Sequence, residues 1–196
     1  PLALDVKQAR AMLDAAQTSK VVHMVCHNYR RIPAIALAKR MIAEGALGRI
    51  FHYRARYAQD RLVDPEYPLD WRLQKETSGS GVHGDINSHV IDLGRYLVGE
   101  FKEVCGLTHT FIRERPLAES PGQAATPRRM GHVTVPDSAM FMARLESGGL
   151  ANLEATRYAY GRKNHIEIEV NGSRGSLCFD FEDMNYLEFY DATRPR

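Results

Sequence analysis

The 196-residue chain sets 26 Lys and Arg against 24 Asp and Glu, a formal net charge of +2, and its basic side chains are interleaved with acidic ones. That balance offers no basic footprint for nucleic acid, and no apolar run approaches the roughly 20 residues that cross a bilayer. A chain this long can bury roughly 70% of the surface its unfolded form exposes, enough for one sizeable domain and part of another.

In chain order, Asp5 to Lys20 shows helical apolar spacing through Val6, Ala9, Met12, Leu13 and Ala16, with Asp5 as the cap. Val21 to Cys26 is short and β-branched without helical period, which suits a buried parallel strand. A second amphipathic helix runs from Ala34 to Glu44 until Gly45 stops it. Ile50 to Gln59 then alternates Phe51, Tyr53, Ala55 and Tyr57 against His52, Arg54 and Arg56, the period of a strand with one wet face.

A helix through Gly84 to Leu93 sets Asp85 and His89 at i and i+4, while Ile86, Val90, Leu93 and Leu97 line the adjacent face. Asp85 could then orient His89 as a general acid/base. It could equally cap the helix beside an ordinary half-buried histidine. Strands follow at Phe101 to Ile112, Ser138 to Glu146, Leu150 to Tyr158, His165 to Val170, Ser176 to Phe181 and Tyr186 to Tyr190, with turns at Ser147-Gly148-Gly149 and across Asn171 to Gly175. Consecutive hairpins imply antiparallel pairing. The expected fold is therefore α+β, a large and mostly antiparallel sheet with helices on one face. Leu153, Ala155, Ile166, Ile168, Val170, Leu177, Phe179 and Phe181 read as the covered alternation, joined loosely by Met140, Met142 and Leu145. Arg157, Glu167, Glu169 and Asp180 read as the outer one. Residues 113–136 hold four of the nine prolines and little periodicity, so they read as a long loop, a lid or disorder. The three cysteines, Cys26, Cys105 and Cys178, lie scattered in apolar contexts and read as reduced core residues of a cytoplasmic protein.

Two motifs invite over-reading. Gly79-Ser80-Gly81-Val82-His83-Gly84 spells G-x-G-x-x-G, but polar residues precede it where a dinucleotide fingerprint needs a hydrophobic strand. Its glycines more plausibly let backbone approach a ligand closely. His83, Asp85 and His89 could bind a divalent ion for hydrolysis, yet no fourth ligand is evident and no metal set is assigned.

Several stretches in order carry a resemblance: Asn28-Tyr29-Arg30-Arg31-Ile32-Pro33-Ala34, Gly45 to Ile50, Gln59-Asp60, Asp64-Pro65, Pro68-Leu69-Asp70-Trp71-Arg72, and Gly79-Ser80-Gly81 leading into Asp85 and His89. Together they resemble the Gfo/Idh/MocA family of NAD(P)-dependent oxidoreductases, nearest its myo-inositol and levoglucosan dehydrogenase branch. The resemblance implies that residues 1–32 are the tail of a Rossmann cofactor domain and that 33–196 form a substrate-binding and oligomerisation domain cut short at its end. The chain would then be a fragment, inactive by itself, beginning just after the lysine of a Glu-Lys-Pro motif. It further implies NAD or NADP as cofactor and a secondary hydroxyl of a sugar, anhydrosugar or cyclitol as the oxidised group, with Asp85 and His89 catalytic. Tyr29, Gln59, Trp71, Arg72, Arg157 and Asn164 are the expected substrate or cofactor contacts, since planar rings suit a sugar's C–H face and amide or guanidinium groups its hydroxyls. The expected assembly is a homodimer or homotetramer through the sheet, without nucleic-acid or membrane partners. A catalytically silent binding or assembly module of the same fold is the other reading, ahead of the metal-dependent hydrolase.

Overall fold

The computed structural model describes residues 2–117 and 129–194. Helix α1 (Val6–Thr18) opens as its sequence dictates, the Asp5 carboxylate accepting from the Gln8 N–H at 2.7 Å. It buries no residue. The β-branched run at 21–26 is exposed and forms no strand, contrary to expectation. A parallel strand exists only through its neighbours' hydrogen bonds, and no described strand lies beside this one. Cys26 sits on that run and is exposed, Cys105 is exposed on an edge strand, and Cys178 is half-buried, which corrects the reading of all three as core residues.

Helix α2 (Pro33–Ala43) starts on proline and buries Ala34, Ile35 and Ala38 before Gly45, at φ +77°, ends it. Strand β1 (Ile50–Ala58) follows, then a short helix α3 (Lys75–Ser78), a π-helical turn (His83–Asn87) and helix α4 (Ser88–Val98). The remaining strands are β2 (Phe101–His109), β3 (Glu114–Pro116), β4 (Met130–His132), β5 (Ser138–Leu145), β6 (Leu150–Thr156), β7 (His165–Gly172), β8 (Gly175–Asp180) and β9 (Glu188–Asp191).

Seven of these strands form a sheet in the order β2-β5-β6-β1-β7-β8-β9. Its pairings are antiparallel except β1 with β6, where Tyr53 lies beside Ala151. The expected α+β architecture holds. One alternation, including Tyr53, Leu153, Ile166, Ile168, Val170, Leu177 and Phe179, is buried beneath α2 and α4, whose Val90, Leu93 and Leu97 complete the core. Each such side chain contributes about 1.5–3 kcal/mol on leaving water. Gly94 permits the close approach of α4, because a Cβ there would meet Tyr53 and Phe101 ring carbons at 2.8 Å. Tyr53 also donates to the Val90 carbonyl at 2.7 Å, fastening the helix to the central strand.

Three finer expectations are corrected. Met140 and Met142 fall on the exposed alternation of β5, whereas Leu145 is buried, because the strand's register places even-numbered residues outward until its end. Arg157 is 2% exposed rather than outward-facing, since it lies past the end of β6 where it meets a carboxylate. The ends of the supposed 113–136 loop pair as the ladder β3–β4, anchored by the buried Arg115. The middle of that segment, with its expected lid or disorder, lies outside the described residues.

Candidate active site

The chain enters α4 through a π-helical turn, and this changes what Asp85 does. A π-turn accommodates an extra residue per turn, so positions four apart no longer stack as in an α-helix. The Asp85 carboxylate pairs with the Arg157 guanidinium, and no side-chain cap is made at the start of α4. The expected helix cap by Asp85 gives way to this ion pair. Arg157 is buried while the Asp85 side chain is 38% exposed, so the carboxylate faces the cleft with a fixed cation behind it.

His89 is half-buried and enclosed by rings. Its centroid lies 5.0 Å from Tyr29, 5.5 Å from His27 and 6.1 Å from Tyr57. Its Nδ1 is buried without a hydrogen-bond partner. Desolvation, assisted by the neighbouring His27, holds the imidazole below the usual histidine range, while Asp85 and Asp92 pull the other way. The ring is consequently neutral near pH 7 and able to accept a proton.

Beside it lies a polar knot. Asn164 accepts from the Tyr57 hydroxyl and, at 3.4 Å, from Gln59 Nε2, and its own Nδ2 donates to the Tyr29 hydroxyl at 3.2 Å. The Tyr29 and Tyr57 hydroxyls are 3.1 Å apart. Burial, then the bond to Tyr29, raises the Tyr57 phenol, so it remains a neutral donor. Tyr29, Gln59, Asn164 and His89 thus lie together. Tyr57 was not among the expected contacts, because its place in the strand's apolar alternation reads as core.

Trp71 and Arg72 occupy a second wall. A 3-10 turn (Trp71–Leu73), capped where Asp70 accepts from the Arg72 N–H at 2.9 Å, stacks the Arg72 guanidinium 4.3 Å over the exposed Trp71 ring. Trp71, Arg72, Asp85 and Arg157 line one notch together with Gly81. Gly81 itself has φ +57°, and a Cβ there would stand 2.6 Å from the Pro136 carbonyl oxygen. That glycine therefore admits the close approach of Val135–Pro136.

The hydrolase triad is not assembled. His83 Nδ1 is 3.1 Å from Asn87 Nδ2 and its ring faces Phe141, Asp85 turns to Arg157, and His89 packs on Tyr29. None of the described helices is long and apolar enough to cross a membrane.

Comparisons with known proteins follow the same lines. Residues 35–178 match a family model described as the GFO/IDH/MocA C-terminal domain. A levoglucosan dehydrogenase of Pseudarthrobacter phenanthrenivorans is 47% identical over 193 residues, covering 96% of this chain and 50% of that protein. The crystal structure of an oxidoreductase domain protein from Kribbella flavida superposes with a TM-score of 0.91 at 50% identity, covering 100% of this chain and 52% of its own. A levoglucosan dehydrogenase in complex with NADH and L-sorbose gives a TM-score of 0.91 at 46% identity, with 100% of this chain and 50% of the other covered. The chain spans about half the length of the curated relatives it matches.

Proposed function

Because the chain belongs to the GFO/IDH/MocA oxidoreductase family, we propose that it supplies the substrate side of an NAD(P)-dependent dehydrogenase oxidising a secondary hydroxyl of a sugar, anhydrosugar or cyclitol. The observation that carries this reading is the neutral His89 beside the Asp85–Arg157 pair and the Tyr29–Tyr57–Asn164–Gln59 knot.

His89 accepts the proton of the substrate hydroxyl as the carbon–hydrogen bond at the same carbon breaks. A bound nicotinamide would supply the hydride acceptor for that carbon. Proton transfer of this kind supplies about 10²–10⁴ in rate, or roughly 3–5 kcal/mol of barrier. Asp85, paired with Arg157, favours the imidazolium that forms and accepts from a neighbouring hydroxyl. Tyr29, Gln59 and Asn164 present phenol and amide groups to further hydroxyls, and Trp71 with Arg72 offers a flat wall to the ring's C–H face. The names of the relatives, dehydrogenases of levoglucosan and scyllo-inositol, favour this over a silent assembly module.

Residues 1–32 are proposed as the end of the cofactor domain and 33–196 as the substrate domain. Two observations support the division: α1 buries nothing, and the family match begins at residue 35. The exposed face of the sheet is proposed to pair two copies across a two-fold axis. Support comes from its broad surface, where Met140 and Met142 stand exposed near the ion pairs Arg54–Glu169 and Arg56–Glu167. The direct test is absorbance of NADH or NADPH formed by the full-length protein with levoglucosan, myo-inositol, scyllo-inositol and simple aldoses. Saturable turnover of at least one is expected. Absence of turnover across the panel with both cofactors overturns the dehydrogenase reading.

A further inference from the structure

On the outer face of the sheet, the first residue of β7, the last of β8 and the turn that follows bring three potential metal ligands together. His165 is 1% exposed, yet its Nδ1 makes no hydrogen bond among the described residues. That nitrogen lies 3.4 Å from Asp180 Oδ1 and 3.6 Å from Glu182 Oε2. Neither of these separations is bridged by a hydrogen bond. They do match the edge of a tetrahedron of ligands around Zn²⁺, roughly 3.4 Å when the metal–ligand distance is about 2.1 Å. All three ligand atoms lie within 4.8 Å of one another.

We propose that His165, Asp180 and Glu182 form a zinc-class divalent-cation site on the outer face of the sheet, with a fourth position left to water. One imidazole and two carboxylates are donors that Zn²⁺ accepts, and two carboxylates neutralise its charge. Asp180 is already oriented, since its Oδ1 accepts from the Glu182 N–H at 2.8 Å and caps the Phe181–Asp183 turn.

A metal-bound histidine ordinarily donates its other ring N–H to a carboxylate. Here Nε2 lies 3.5 Å from Glu167 Oε2, which supplies that partner. Two guanidinium groups adjust on loading. Arg56 Nη2 yields its 3.1 Å contact with Nε2 while keeping its 2.7 Å bond to Glu167. Arg162, paired with Glu182 and 41% exposed, is free to swing into solvent.

The site's consequence is mechanical. It clamps the start of β7 to the end of β8 directly beside Asn164, the hub of the polar knot.

Titration of chelator-treated protein with ZnCl₂ against a chromophoric competitor tests the proposal, with Co²⁺ substitution reporting tetrahedral geometry by its visible absorption. The expected result is one equivalent bound at micromolar affinity or better, lost in Asp180→Asn/Glu182→Gln and weakened about tenfold in Glu167→Gln. The unsubstituted protein carries the test even if a variant folds poorly. No stoichiometric binding of Zn²⁺ to it overturns the site, and so does binding that persists unchanged in a folded double variant.

Discussion

His89 shows how enclosure alone can prepare a base. Rings on three sides remove water, and a neutral imidazole loses less by that removal than a charged one, so the proton is released at a lower pH than from a free histidine. His89→Ala in the full-length enzyme is expected to lower kcat at least about a hundredfold with a modest change in KM, because proton transfer is an interaction of the transition state. Steady-state kinetics with the best substrate measures it. The sign of the pH effect follows from the same cause. With its folded value below the ordinary 6.5, His89 stays neutral while an unfolded chain is already taking up protons, so the acid limb of kcat/KM should lie below pH 6.5. Its contribution to stability is present in full above that value and is lost as the pH falls toward the folded one. What the sequence offered here came through the family resemblance of stretches in order: His89, Tyr29, Gln59 and Asn164, singled out on that ground, lie together. Tyr57 was hidden because a strand residue's hydroxyl leaves no mark on hydrophobic alternation. The Asp85–Arg157 pair was hidden because a single π-turn redirects a side chain without altering composition.

Among the elements, those carrying their own local signal were readable. The capped α1, the proline-started α2 and the glycine-turned β5–β6 hairpin each state their boundaries in sequence. Residues 21–26 state only that they are β-branched, and partners decide the rest. The β3–β4 ladder was unreadable for another reason, since its stability comes from a buried cation. Arg115 donates through Nη1 to the Asp64 and Tyr67 carbonyls and through Nη2 to the Leu62 carbonyl and the Tyr158 hydroxyl. Arg115→Met should cost about 2–3 kcal/mol by leaving buried acceptors unpaired. It should also raise KM, because the segment it holds runs directly into Trp71 and Arg72. Urea denaturation with parallel kinetics would show both. Gly81→Ala is expected to destabilise by more than about 1 kcal/mol, as the backbone there is left-handed and the added methyl meets a carbonyl oxygen. A lowered midpoint at unchanged slope is the signature.

For the whole molecule, the sheet separates two kinds of surface. One is closed by α2 and α4, and the other presents ion pairs beside exposed methionines. If copies meet there, light scattering of the full-length protein at micromolar concentration gives a dimeric or tetrameric mass that Met140→Glu/Met142→Glu reduces; a monomeric mass for the unsubstituted protein rules the arrangement out. The single parallel pairing in the sheet also bears on how the chain is made. Tyr53, at the heart of β1, finds its two flanking strands only in β6 and β7, far along the sequence. On a ribosome adding about 5–20 residues per second, β1 emerges many seconds before either neighbour exists. Through that interval α2 and, later, α4 are among the elements already made that cover its aromatic face. The nascent helices are thus the first shelter of the central strand, and the sheet closes around it last.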